Sequence, residues 1–274
     1  MGIKMDFKFK ISNLKFLFLI CIFNISVFSA EPNDSNSSKY VPATGNILKD
    51  AKAFPKVAWD DAKMTYFNGD NLLLLLLAGG GSIVLHDSGV DDKVGEHFDK
   101  HRSLPKDLDN FTDIVGNPGT HFAVTGMWYW MASSNKDDLN VQRSWIMMRS
   151  LAVTSTTTLV LKGIVHNHTP NGFDLAWPSG HTASSFCVAS VLDEFYGPQI
   201  GIPAYLAAGF VGYRMMDSGD HWASDVLFGG VLGYVVGHTI AGEYKLDLAG
   251  FKVQPLVSTL HEGPTAGIVL AKEF

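Results

Sequence analysis

The sequence predicts an all-α protein built on a core bundle of six helices, with a small β-hairpin suited to the C-terminal tail. Three observations carry this. Six apolar blocks, at residues 72–85, 122–132, 146–165, 182–196, 200–213 and 222–241, are longer than ordinary strands. Turn clusters such as Asn117-Pro118-Gly119 and Gly197-Pro198 separate them. After Gly242 the pattern changes to short alternating runs, 251–257 and 267–274, which have the period of a hairpin.

Taken in order, residues 1–30 read as an export signal. Lys4, Lys8, Lys10 and Lys15 precede an apolar run from Phe16 to Phe23, and small residues follow around Ser26, Ser29 and Ala30. The run is too short to span a bilayer, which takes roughly 20 residues. Residues 31–63 are polar and rich in Ser, Asn, Asp and Pro, so they are expected to form a tether or loose cover. Residues 64–245 hold the helical domain, with a surface helix expected over 91–100, and residues 246–274 form the tail. A length of 274 residues with 46% hydrophobic content suits one domain with appendages.

The formal charge is −6 and no basic run or stripe occurs, which argues against nucleic acid as a partner. Charged residues at 18% and aromatics at 12% lie between a soluble and a membrane composition. No block reaches eighteen clean apolar residues, and Gly79-Gly80-Gly81 and the Ser/Thr run 154–158 interrupt two of them. The expectation is an exported, periplasmic bundle resting on a membrane surface, with integral membrane placement as the alternative. Cys21 lies in the leader, so Cys187 would be alone in the mature chain and no internal disulfide can form. His97 and His101 have the spacing of a metal-ligand pair but lie in a Lys- and Asp-rich segment, the mark of a solvated face, and no metal site or cofactor is expected.

Three stretches carry chemistry. Pro178-Ser179-Gly180-His181 runs straight into the block at 182–196. A helix N-terminus offers unpaired N–H groups and partial positive charge to a phosphate, and Gly180 permits close approach. A serine cap beside an incidental histidine would look the same. Further on, His221 and Asp225 are four apart, so on a helix the carboxylate can orient the imidazole, though a lone pair of this kind is more often an ordinary helix start. Arg214 precedes them, and Lys162 ends an apolar block shortly before Pro170, where a cation also suits the helix dipole.

Together these stretches resemble the signature of the type 2 phosphatidic acid phosphatase and vanadium haloperoxidase superfamily. Its first motif, Lys, six residues, Arg-Pro, is matched by Lys162 and Pro170; Pro178 to His181 match the second; Arg214, His221 and Asp225 carry the third. The resemblance covers residues 71–242. It implies the helical bundle of that superfamily and a metal-independent phosphohydrolase acting on a lipid phosphate, another phosphomonoester or a pyrophosphate. It further implies His221 as nucleophile, Asp225 as its orienting acid and His181 as general acid and base. Lys162, Ser179, Gly180 and Arg214 would bind the phosphate oxygens.

Two departures stand out. Thr169 occupies the arginine position of the first motif, which removes a bidentate donor. His166 and His168 are near enough in sequence to compensate if protonated. In the third motif Tyr213 replaces the usual serine, and six residues rather than five separate Arg214 from His221, an extra residue that a local bulge can absorb. The rival to the hydrolase is therefore a catalytically weakened phosphate- or lipid-binding member of the same fold. A haloperoxidase would need a halide site that the sequence does not reveal.

Overall fold

The computed structural model describes residues 43–242 and the backbone of three strand segments, 247–248, 251–258 and 265–272. The expected leader lies outside the described residues. Nine helices occur among the described residues: α1 (Ile47–Tyr66), α2 (Gly69–Asp87), α3 (Val90–Lys100), α4 (Lys106–Gly116), α5 (Pro118–Ser134), α6 (Asp138–Val165), α7 (Gly180–Tyr196), α8 (Pro198–Asp217) and α9 (Ala223–Ala241). The six apolar blocks fall within α2 and α5–α9. Beyond them, β1 (Asp247–Leu248), β2 (Phe251–Ser258) and β3 (Thr265–Lys272) pair antiparallel in that order, with Phe251 opposite Lys272 and Ser258 opposite Thr265.

The tether expected over residues 31–63 is corrected from Ile47 onward, where the chain is helical. Asn46 caps α1 by accepting from the Lys49 N–H at 3.1 Å. The buried positions Asp50, Val57, Asp61 and Thr65 form one stripe. Three of these are polar, which is why no apolar period announces the helix. Their partners come from distant segments. Arg149 on α6 donates to Asp61 through Nε at 2.7 Å and Nη2 at 2.5 Å. Both side chains are almost fully buried, at 2% and 5% exposure, so the pair is a bidentate bridge across the α1–α6 contact. At the other end of α1 Asp50 accepts the Tyr129 hydroxyl from α5 and the Thr44 N–H at 2.9 Å.

The α7–α9 contact sets the site. Gly229, Gly233 and Gly237 recur every four residues along α9, so they share one face. A Cβ at Gly233 would come within 2.0 Å of the Ala183 carbonyl oxygen, and one at Gly229 within 2.6 Å of the Ser179 carbonyl oxygen. Only glycine permits this approach of the two backbones. It ends in a direct bond, Ser179 N–H to the Asp225 carbonyl at 3.1 Å, which locks the start of α7 to the start of α9.

At the same end of the bundle α3 and α4 cross over the helix termini. Buried Asp91 on α3 accepts the Ser224 N–H at 3.0 Å and its hydroxyl at 2.5 Å, pinning α3 to the first turn of α9. Buried Asp217, in the last turn of α8, accepts the Ser103 N–H at 2.8 Å and holds the α3–α4 connection.

Candidate active site

The site lies where the C-terminal turns of α6 and α8 meet the N-terminal turns of α7 and α9. His221 precedes α9, and its Nδ1 stands 3.1 Å from Asp225 Oδ2. An ionised carboxylate only accepts, so the proton of a neutral imidazole sits on Nδ1 and Nε2 keeps its lone pair. The same Oδ2 accepts the Trp222 N–H at 2.9 Å, which fixes the carboxylate to the helix start. Asp225 is completely buried and His221 nearly so.

Lys162 occupies the last turn of α6. Its Nζ donates to the carbonyls of Leu175 and Ala176, the latter at 2.9 Å. The loop that supplies these carbonyls is braced by Asn167, whose Oδ1 accepts the Trp177 N–H at 2.8 Å.

Arg214, in the last turn of α8, is held by three carboxylates. Its Nε donates to Asp109 at 2.6 Å; its Nη1 lies 2.7 Å from Asp220 and 2.9 Å from Asp113. The extra residue of the third motif is absorbed between Asp217 and His221. Gly219 adopts φ +75° there, and the turn folds back so that the His221 N–H reaches the Met215 carbonyl at 3.0 Å. Tyr213 donates to or accepts from the Ser103 hydroxyl at 2.5 Å, so it braces the α3–α4 connection.

His181 is the second residue of α7, and its Nε2 stands 3.4 Å from Asp113 Oδ1, the carboxylate oxygen that also meets Arg214. Lys162, His181, Arg214, His221 and Asp225, scattered over 64 positions of sequence, are carried by the adjoining ends of α6, α7, α8 and α9.

The other expected site residues lie around these four helix ends. Ser179 is the N-cap of α7: its hydroxyl accepts the Thr182 N–H at 3.3 Å, meets the Thr182 hydroxyl at 2.9 Å, and is fully buried. Gly180 begins the helix behind it. His166 caps α6 in the left-handed region with φ 49° and is exposed, and His168 is paired at 2.8 Å with Asp174 at the surface. Neither imidazole makes a hydrogen bond or ion pair with Lys162, Arg214 or His221 among the described residues. Thr169 closes a turn instead, its hydroxyl accepting the Phe173 N–H at 3.0 Å.

Asp109, Asp113 and His121 were not singled out from sequence. His121 lies in the first turn of α5 and is partly buried. Its Nδ1 is buried with no hydrogen-bond partner among the described residues. Nothing in local sequence marks these three, since they sit in a stretch read as charged surface and turn.

The family model of the PAP2 superfamily matches residues 92–242, more than half of the chain, and the chain belongs to that superfamily. It is 40% identical over 65 residues to a lipid A 1-phosphatase of Porphyromonas gingivalis, a match that covers 23% of this chain and 15% of that protein's length. Its fold is similar to the crystal structure of a transmembrane PAP2 type phosphatidylglycerolphosphate phosphatase from Bacillus subtilis, with a TM-score of 0.50 at 18% identity, covering 62% of this chain and 91% of the other.

Proposed function

We propose that the chain is a metal-independent phosphohydrolase acting on a lipid phosphate, through a phosphohistidine intermediate. The observation that carries this is His221, its Nδ1 turned to a buried carboxylate at 3.1 Å and its Nε2 thereby left nucleophilic, at a helix start bonded to the start of α7 that carries His181. His221 Nε2 attacks phosphorus in line; the P–N bond forms as the bond to the leaving oxygen breaks, and His181 gives that oxygen its proton. Water then attacks the phosphohistidine, His181 takes the water's proton, and the P–N bond breaks to release phosphate. Arg214, Lys162 and the N–H groups at the start of α7 stabilise the equatorial oxygens. Ser179 serves this through the cap that orients those N–H groups.

A lipid substrate is supported by the way α2 is turned. Asn71, Ala78 and Ser82 face inward, whereas Leu76, Leu77, Ile83 and Val84 are exposed, each at 57% or more. This pattern is inverted for water and ordinary for lipid. Helix α2 is 19 residues long with hydropathy high enough to cross a membrane, as is α9, which is mostly buried among its neighbours. Exposed apolar residues on α5 (Val124, Met127, Trp130), α6 (Leu159, Val160, Ile164) and α8 (Ile202, Leu206) continue the surface. We infer that α2 and α5–α9 form the six-helix core and that this outer surface is seated in a bilayer, which favours the integral alternative over the periplasmic bundle resting on a membrane surface that the sequence led one to expect. The lipid A 1-phosphatase relative and the transmembrane PAP2 neighbour agree with a membrane lipid as substrate.

The weakened-binder reading draws on one observation, that Arg214 is neutralised by carboxylates while Thr169 supplies no replacement cation. Both are tested by assaying purified protein with chelator present on an aryl phosphate and on phosphatidic acid, beside His221→Ala. Turnover that falls by at least about a thousandfold in the variant supports the hydrolase. Phosphate binding without turnover in the natural protein supports the binder.

A further inference from the structure

Asp113 is a charge that the proposed chemistry does not use. It lies on α4, with Oδ1 2.9 Å from Arg214 Nη1 and 3.4 Å from His181 Nε2. On the hydrolase reading these are the groups that receive an equatorial oxygen and the leaving oxygen of the phosphate. A carboxylate oxygen within reach of both stands where a phosphate oxygen would stand.

We propose that Asp113 is a resident anion in the phosphate site, an intramolecular competitor that an incoming phosphoryl group displaces, so that it sets the affinity of the pocket. The proposal rests on the hydrolase reading for the identity of the ligand. The three carboxylates on Arg214 are not equivalent. Asp109 is buried and also accepts Arg102 Nη2 at 2.7 Å. Asp220 is tied down by the Ser218 hydroxyl at 2.7 Å and by Asn171 Nδ2 at 3.2 Å. Asp113 has only Arg214 and His181 as partners among the described residues, and its side chain is 42% exposed. It alone can swing into solvent without breaking a contact elsewhere.

Like charges about 3 Å apart cannot both stay ionised in one pocket. A phosphate dianion at Arg214 and His181 therefore requires Asp113 to leave, and the apparent affinity is lowered by the fraction of molecules in which it has not left. Asp109 and Asp113 are one turn apart on α4, so Asp109 keeps Arg214 in place while Asp113 moves. The arrangement also keeps the nearly buried guanidinium of Arg214 paired when no substrate is bound.

The test is the Kd of inorganic phosphate for the full-length protein in detergent micelles, by calorimetry, in wild type, Asp113→Asn and Asp113→Glu. KM for an aryl phosphate is measured in parallel. Removing the charge is expected to tighten phosphate binding about three- to tenfold, with KM falling in step, as suits a half-exposed ion pair. Asp113→Glu retains the charge and is expected to stay near wild type. Asp113→Ser makes the same comparison if the amide disturbs folding. A Kd that is unchanged or weaker in the neutral variants, or no measurable phosphate binding in any of the proteins, overturns the proposal. A loss of kcat at unchanged Kd also overturns it, and makes Asp113 the charge partner of His181. Tightened phosphate binding in a protein that shows no turnover would sink the hydrolase reading while leaving the competitor in place.

Discussion

Asp225 Oδ2 receives two donors from adjacent residues, His221 Nδ1 at 3.1 Å and the Trp222 N–H at 2.9 Å. One buried carboxylate thus builds the start of α9 and aims the imidazole. Asp225→Asn keeps the shape and leaves an oxygen to accept, but removes the charge that stabilises the histidine as it becomes cationic. The expected fall in kcat is roughly 10²- to 10⁴-fold, with the thermal transition little changed. Rates on phosphatidic acid, set beside a melting curve, check this. A variant within about threefold of wild type would take Asp225 out of the catalytic group.

His181 must carry a proton to serve the leaving oxygen, so kcat/KM is expected to fall as pH rises through the point at which that proton is lost. His181→Gln should abolish this decline. It should also cost about 10²-fold or more on an alkyl phosphate and far less on a nitrophenyl phosphate, whose leaving group needs no proton.

Much of this site was legible because its residues sit at helix ends, where capping and turn chemistry leave local marks. Pro178 to His181 opens α7, and His221 to Asp225 opens α9. The bulge at Gly219 was readable as one surplus residue between Arg214 and His221. What escaped notice has no local mark. Asp109, Asp113 and His121 acquire meaning only when α4 and α5 close over Arg214 and His181. Helix α1 escaped because Asp50, Asp61 and Thr65 face inward, each satisfied by tertiary contact rather than by apolar burial. The inverted face of α2 escaped for a related reason. A block of leucines reads as core whether the apolar medium lies inside the bundle or outside it.

The Asp61–Arg149 bridge makes α1 a structural part of the bundle. Arg149→Met leaves Asp61 buried and unpaired, and is expected to cost about 3–5 kcal/mol. Replacing both partners by apolar residues of similar volume should recover much of that loss. Denaturant or thermal unfolding of the single and double variants in one detergent gives the comparison. A single variant as stable as wild type would mean that α1 docks without the bridge.

Gly233 tests the α7–α9 approach. An alanine there would put Cβ within 2.0 Å of the Ala183 carbonyl oxygen, a clash with backbone that no rotamer relieves. Gly233→Ala is expected to destabilise by about 1–3 kcal/mol and to lower kcat, because separating the helices also shifts Ser179 from the Asp225 carbonyl. Gly80→Ala is the control, since a Cβ there meets nothing within 4 Å. Melting temperatures and rates of the two variants separate tight packing from a general intolerance of added methyl groups.

The outer face of α2 decides how the molecule meets its substrate. Leu76 and Leu77 are exposed at 64% and 57%, beside Ile83 and Val84 at 62% and 64%, whereas the inward positions are Asn71, Ala78 and Ser82. In water such a face would drive aggregation, and charging it would improve solubility. In a bilayer the sign reverses, because each arginine near the centre of a spanning helix costs about 2.5–3.5 kcal/mol of insertion. Leu76→Arg with Leu77→Arg is therefore expected to lower the membrane-inserted fraction sharply. Alkaline carbonate extraction of membranes carrying the full chain reads that fraction. Wild-type protein resistant to extraction, with the double variant lost or released, supports a lipid-seated bundle. Wild-type protein released as readily as the variant would return the chain to the soluble architecture that its interrupted apolar blocks first suggest.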